Sequence, residues 1–143
     1  MIFQHTLPNI LNETKTQTRR IIKADEQVVR GRHNKIHAVL LNGRTKWQVG
    51  KTYAVQPARG TCAIARIKLT KIRSEYITRI STKDAIAEGF ADRQDFLATW
   101  RNIHGLSGLN VRVWVIEFEL VSVIVSSEMF IKQEFAKKWE KVG

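Results

Sequence analysis

Apolar positions along the chain switch repeatedly between a two-residue and a helical period, and each switch marks an element. Residues 2–5 form a short first strand. Thr6-Leu7-Pro8 reads as a helix start, with Thr6 as cap and Pro8 in the first turn. Leu7, Ile10 and Leu11 share a helical face that ends near Glu13 or Thr14. Residues 16–22 alternate as a strand, with Thr16, Thr18 and Arg20 on one side and Gln17, Arg19 and Ile21 on the other. Residues 23–35 are polar and basic and read as a mobile loop. Apolar residues 37–41, then Asn42-Gly43, then residues 44–48 predict a hairpin, because Asn-Gly supplies the positive φ angles of a tight turn. Residues 52–56 make a further strand, stopped by Pro57 and Gly60.

The second half carries longer patterns. Ala63, Ala65, Ile67 and Leu69 alternate with Ile64, Arg66, Lys68 and Thr70, and the apolar parity flips at Ile72. That flip predicts a bulge near Thr70-Lys71. Ser81 caps a short helix over residues 84–88 in a capping-box-like start with Asp84 where Glu is usual, and Gly89 stops it. Asp92 caps a second helix with Phe96, Leu97, Trp100 and Ile103 on its face, ending at Gly105. Residues 111–125 form the longest strand, with Trp114, Ile116, Phe118 and Leu120 on one side and Val111, Val113, Val115, Glu117 and Glu119 on the other. Ser126 or Ser127 caps a last helix. Several strands with short helices at their ends give an α+β domain, and the bends favour a small β-barrel over a sandwich. Trp47, Trp100 and Trp114 sit in apolar patterns and are expected in the core.

Charge adds the first hint of function. The chain has 143 residues and a net charge of +11. Residues 1–74 hold 15 Lys/Arg against 3 Asp/Glu, whereas residues 75–143 hold 9 against 10. A basic excess confined to one half favours a polyanionic partner, nucleic acid above all. The single cysteine, Cys62, cannot form an internal disulfide, which suits a reducing compartment. There is no basic-then-apolar leader and no run approaching the ~20 apolar residues that span a bilayer, so a cytoplasmic protein with no membrane partner is expected. His33 and His37 lack a third ligand, so no metal and no cofactor are expected.

The chemistry-bearing segment is Lys15-Thr16-Gln17-Thr18-Arg19-Arg20. An exposed strand can read the same way; its company raises it. In order along the chain stand Lys15-x-x-Thr18-x-Arg20, Trp47-x-x-Gly50-Lys-Thr-Tyr-Ala-Val55, Ile80-Ser81-x-x-Asp84-Ala85-x-x-Glu88-Gly89-Phe90, Trp100-x-x-x-His104-Gly105 and Val113-Trp114-Val115-Ile116-Glu117-Phe118. Together these resemble the ASCH domain family, from about Ile2 to Leu120. The resemblance implies a PUA-like β-barrel over residues 1–125, with residues 126–143 as a C-terminal helix packed on or extending from it, and a cleft for RNA or a nucleoside. Some small bacterial relatives hydrolyse N(4)-acetylcytidine with a Lys, a Thr and a Glu. By this resemblance Lys15, Thr18 and Glu88 are the candidate catalytic residues, and the family signature G-x-K-x-x-T-x-R places its glycine on Glu13. Arg20, Tyr53 and Arg59 are the candidate ligand-binding residues, with Arg20 as an anchor and Tyr53 as a stacking ring.

The residues can also be read without the family. Lys15 and Thr18 are three apart, so a regular strand would put them on opposite faces. Cooperation requires a turn between the first helix and the next strand. Amide hydrolysis needs a nucleophile, a base and an acid for the departing amine. Thr18 would supply or position the nucleophile, a desolvated Lys15 would be the base, and Glu88 would pass the proton on. The same cleft also suits a non-catalytic RNA-binding module or, third, a ribonuclease.

Overall fold

A computed structural model of the chain describes residues 1–3 and 6–124. Its elements follow in order: α1 (Leu7–Leu11), β1 (Gln17–Ile21), β2 (Glu26–Arg30), β3 (Ile36–Leu41), β4 (Arg44–Gln48), β5 (Thr52–Val55), β6 (Ala65–Tyr76), α2 (Thr82–Ala87), α3 (Arg93–His104) and β7 (Arg112–Val123). The seven strands form one antiparallel sheet in the order β1-β7-β6-β3-β2, with β4 on β3 and β5 on β6. This is the expected α+β class. The pairings among the described residues do not close the sheet on itself, so the expected barrel is met only as a bent, open sheet. The C-terminal helix expected over residues 126–143 lies outside the described residues, as do Gln4 and His5 of the expected first strand. Ile2 makes a lone parallel bridge to Gln56.

Strand β7 organises the core, because both its faces are buried. Trp114, Ile116 and Phe118 pack with Ile67, Leu69 and Val39 on one side. Val113 and Val115 pack with Ile77, Phe96 and Trp100 on the other. These are the two faces that the alternation predicts. The register of β6 on β7 shifts between Leu69 and Lys71, at the predicted parity flip. The bulge lets one strand serve two neighbourhoods: its first half pairs with β5, and Ile72 beyond the bulge meets Ile36 of β3. Asn42 (φ 53°) and Gly43 (φ 75°) make the expected hairpin turn.

Two expectations are corrected. Residues 23–35 are not simply a loop, because β2 pairs along β3. Its anchor is a charge, which an apolar pattern does not register. The Glu26 carboxylate accepts from Trp114 Nε1 (3.1 Å), Lys46 Nζ (2.8 Å) and the Lys23 N–H (2.7 Å). Burial alone would raise its pKa, but these donors hold it below the usual carboxylate value. Thr6 stands at the N-cap of α1, but its side chain makes no capping bond. Its carbonyl accepts from the Asn9 and Ile10 N–H groups instead.

Candidate functional site

The segment before β1 is tied down on both sides. The Lys15 N–H donates to Asn9 O of α1 (2.9 Å), and the Thr16 N–H donates to Ala87 O at the end of α2 (2.7 Å). This bend lets Lys15 and Thr18, three apart in sequence, line one cleft. It begins at Glu13, whose φ of 65° lies in the left-handed region. An L side chain there costs roughly 1–2 kcal/mol that glycine does not pay.

Glu88 arrives from the opposite direction as the C-cap of α2. Gly89 follows with φ 98° and lies so close to α1 that a Cβ would sit 3.2 Å from Asn9 Cβ. The chain thus turns sharply after Glu88 and holds its carboxylate against Lys15. Lys15 Nζ donates to Glu88 Oε1 and to Glu88 O, both at 2.8 Å. Lys15 is 4 % exposed and Glu88 3 %. Burial pushes the Lys15 pKa below its ordinary value, and the Glu88 carboxylate only partly restores it.

Arg19 is the residue that the strand alternation missed. Alternation gives it only a strand face, yet its side chain is fully buried and joins the site to a wider ion network. Its NH1 donates to Glu88 Oε2 (3.0 Å) and Gln17 Oε1 (3.0 Å), and its NH2 donates to Glu75 Oε1 (2.8 Å) and Asp84 Oδ2 (3.3 Å). Arg73 continues the network to Glu75 Oε2 (3.0 Å) and Asp84 Oδ2 (2.9 Å). Lys15, Arg19 and Arg73 therefore face Glu75, Asp84 and Glu88, with Glu117 at the edge of the network, 3.9 Å from Arg73 Nε. Asp84 explains the unusual capping box. Ser81 Oγ accepts from the Asp84 N–H (3.0 Å), while the Asp84 carboxylate reaches Gln17 and both arginines. Those donors hold its pKa low against the opposing effect of burial.

Arg20 is a fourth cation with no acid partner among the described residues. One terminal nitrogen donates to Ile2 O (2.8 Å), and the guanidinium lies 5.2 Å from the Phe3 ring centre. Among the described residues its buried Nε has no acceptor. A buried donor left unpaired costs about 1–3 kcal/mol and marks a place where a ligand acceptor would be favourable.

The cleft has a volume of about 410 Å³, within the range of small-molecule sites. Phe90, Phe96 and Trp100 form its aromatic wall. Phe90 meets Phe96 edge-on at 5.2 Å, and Phe96 stacks on Trp100 at 5.9 Å. Trp100 is buried as expected but also faces the cleft. Ile103, expected on the buried face of α3, is exposed at the cleft margin. His104 stands beside it, 4.2 Å from Trp100 between ring centres, and burial lowers its pKa.

Of the six candidates, Lys15, Thr18, Glu88 and Arg20 come together here. Tyr53 and Arg59 do not line this cleft. Tyr53 is half-buried on β5, where its hydroxyl accepts from the Gln48 N–H at 2.8 Å. Arg59 is exposed in the turn after β5. Among the described residues, no helix is long and apolar enough to cross a membrane.

No protein-family model and no curated protein matches the chain. Among solved structures, the chain resembles protein EF3133 from Enterococcus faecalis V583, described by the family model DUF984. The TM-score is 0.54 at 14% identity, covering 84% of this chain and 72% of that one. At that identity the likeness is one of fold, and this chain shares the small β-rich α+β architecture of that protein.

Proposed function

We propose that this chain is an ASCH-type protein whose cleft binds a modified cytidine and hydrolyses its N(4)-acyl amide. The observation that carries the reading is the buried Lys15–Glu88 pair beside Thr18, with the Lys15 pKa lowered by burial. The resemblance adds to it. The signature's glycine corresponds to Glu13, and Glu13 adopts a backbone conformation natural to glycine. The finer architecture, a PUA-like barrel, belongs to the same reading and is supported by the bulge in β6 and the Ile2–Gln56 bridge.

Lys15 Nζ lies 2.8 Å from Glu88 Oε1, so a proton passed across this contact would leave a free amine as base and a carboxylic acid as proton donor, the two groups that hydrolysis needs. Thr18 Oγ1, or a water that it positions, attacks the acyl carbon and gives its proton to Lys15. The C–N bond breaks, and Glu88 protonates the departing N4. Water completes the reaction to a carboxylic acid and cytidine. Arg20 Nε offers a donor to the ligand, and the aromatic wall packs against the pyrimidine.

The test is incubation with N(4)-acetylcytidine, free and within RNA, read by absorbance or mass. Lys15→Met and Lys15→Arg should each lower turnover by about 100- to 10,000-fold. Arginine keeps the charge but cannot lose its proton near neutral pH. Thr18→Ser should keep part of the activity and Thr18→Ala almost none. Full activity in Lys15→Arg would overturn the base assignment, and an inactive wild type across several acyl cytidines would overturn the reaction. In that case the non-catalytic RNA-binding reading stands. It is favoured by the extended ion network around Glu88, which also suits a structural role for the pair.

A further inference from the structure

A second cleft lies elsewhere on the sheet and shares no residue with the first. It has a volume of about 520 Å³ and runs between the β2–β3 connection and β6. Ile36 and Ile72 are buried beneath it. Around it stand Arg30, Arg32, Lys35 and Lys71, all exposed. Among the described residues, none of these four has a carboxylate within ion-pair distance, whereas Arg73 at the same cleft is occupied by Glu75 and Asp84. The cations are held on a built loop. Arg30 NH1 donates to Asn34 O (2.8 Å), the Gly31 N–H to Lys35 O (2.8 Å) and the Lys35 N–H to Arg32 O (3.1 Å). His33 and Asn34 both take left-handed conformations, φ 56° and 59°, to make this turn.

We propose that this groove, where Arg30, Arg32 and Lys35 on one wall face Lys71 on the other, binds the phosphodiester backbone of single-stranded nucleic acid. Four unpaired cations around a concave surface concentrate the field on a polyanion, and arginine forks match phosphate oxygens. The groove's volume, about 520 Å³, is that of a small-ligand cleft and holds a short stretch of one strand's backbone. Among the described residues no Phe, Tyr or Trp lines it and His37 is the one aromatic ring there, so stacking contributes little, the phosphates carry the binding, and it is tolerant of sequence. A lipid surface fits less well, because the cations surround a hollow and do not flank a protruding apolar anchor.

The experiment measures anisotropy of labelled oligouridylate, oligoadenylate and oligothymidylate on the full chain across a salt series. Wild type should bind all three at low salt and weaken linearly in log–log form. In the triple variant Arg30→Ala/Lys35→Ala/Lys71→Ala, loss of three phosphate contacts should flatten the slope by about two. Affinity at ~0.1 M salt should then fall about a hundredfold. The side chains are exposed, so the unfolding midpoint should stay in place. Lys71→Glu, a single change at an exposed position beside the β6 bulge, should weaken binding in the same direction. Lys83→Ala, at an exposed lysine of α2 that lines neither cleft, should leave the slope unchanged. The groove shares no residue with the Lys15 cleft, so an inactive wild type on acyl-cytidine does not touch this proposal. Absence of binding at low salt, or an unaltered slope in the triple variant, would overturn the proposal. So would binding of polyglutamate in place of all three oligonucleotides, which would make the groove a site for acidic polypeptide.

Discussion

Replacing Glu88 by Gln removes one charge and almost no volume, so it isolates what the carboxylate does. In the native protein Oε1 accepts from Lys15 and Oε2 from Arg19. A glutamine has one oxygen and turns an NH2 toward the second cation, so one hydrogen bond is lost and two donors face each other. The network loses the one negative charge that contacts both Lys15 and Arg19. Arg19 keeps Gln17, Glu75 and Asp84, so the penalty falls on Lys15, which keeps only the Glu88 carbonyl. Breaking a buried ion pair by removing one partner costs about 3–5 kcal/mol. Lys15 can limit that loss by shedding its proton, because burial already lowers its pKa and Glu88 is what raises it. The expected loss is therefore at the low end, about 3 kcal/mol at neutral pH, and shrinks as pH rises. Urea unfolding at neutral and alkaline pH checks this, read as a change in midpoint at constant slope. The double variant Lys15→Met/Glu88→Gln should recover part of the loss, since no buried ammonium remains. A loss below about 1 kcal/mol, or one independent of pH, would refute the account of Lys15 as a buried cation dependent on Glu88.

Glu13→Gly should stabilise the fold by about 1 kcal/mol, seen as a raised unfolding midpoint, because it relieves a left-handed side chain. Gly89→Ala should destabilise by more than Gly105→Ala in the same assay. Both glycines have positive φ, but a Cβ at Gly89 also meets Asn9 and Thr6, whereas one at Gly105 meets nothing within 4 Å. Stability should also depend on pH at both ends. Glu26 and Asp84 have folded pKa values below their ordinary ones, so their contribution is present above ~4 and lost as pH falls through the folded values. Lys15 is a base with a lowered folded pKa, so its burial penalty is felt in full below that value. Stability therefore rises as pH increases from there toward ~10.4, and Lys15→Met should remove this alkaline gain in a pH series of unfolding curves.

The parts of the fold that depend on local periodicity were legible in the chain. The two faces of β7, the bulge in β6, the Asn42-Gly43 hairpin and the Ser81 and Asp92 caps each follow from side-chain parity or from turn and cap chemistry within a few residues. The ordered motifs also picked out Lys15, Thr18, Glu88 and Arg20, which the structure brings to one cleft, while their roles belong to the proposed function. What the sequence could not carry was charge pairing across long separations. Strand β2 was missed because Glu26 anchors it on Trp114, 88 positions away, and burial of a charge leaves no apolar signature. Arg19 was missed because alternation marks only a face, while its partners Glu75, Asp84 and Glu88 come from distant elements. Tyr53 and Arg59 were grouped with the site by residue type alone, and the sheet carries them elsewhere. Local pattern therefore set which elements form, through steric and apolar period. Tertiary structure alone decided which buried charges meet, because an ion pair needs only two groups within 4 Å and no regular spacing between them in sequence.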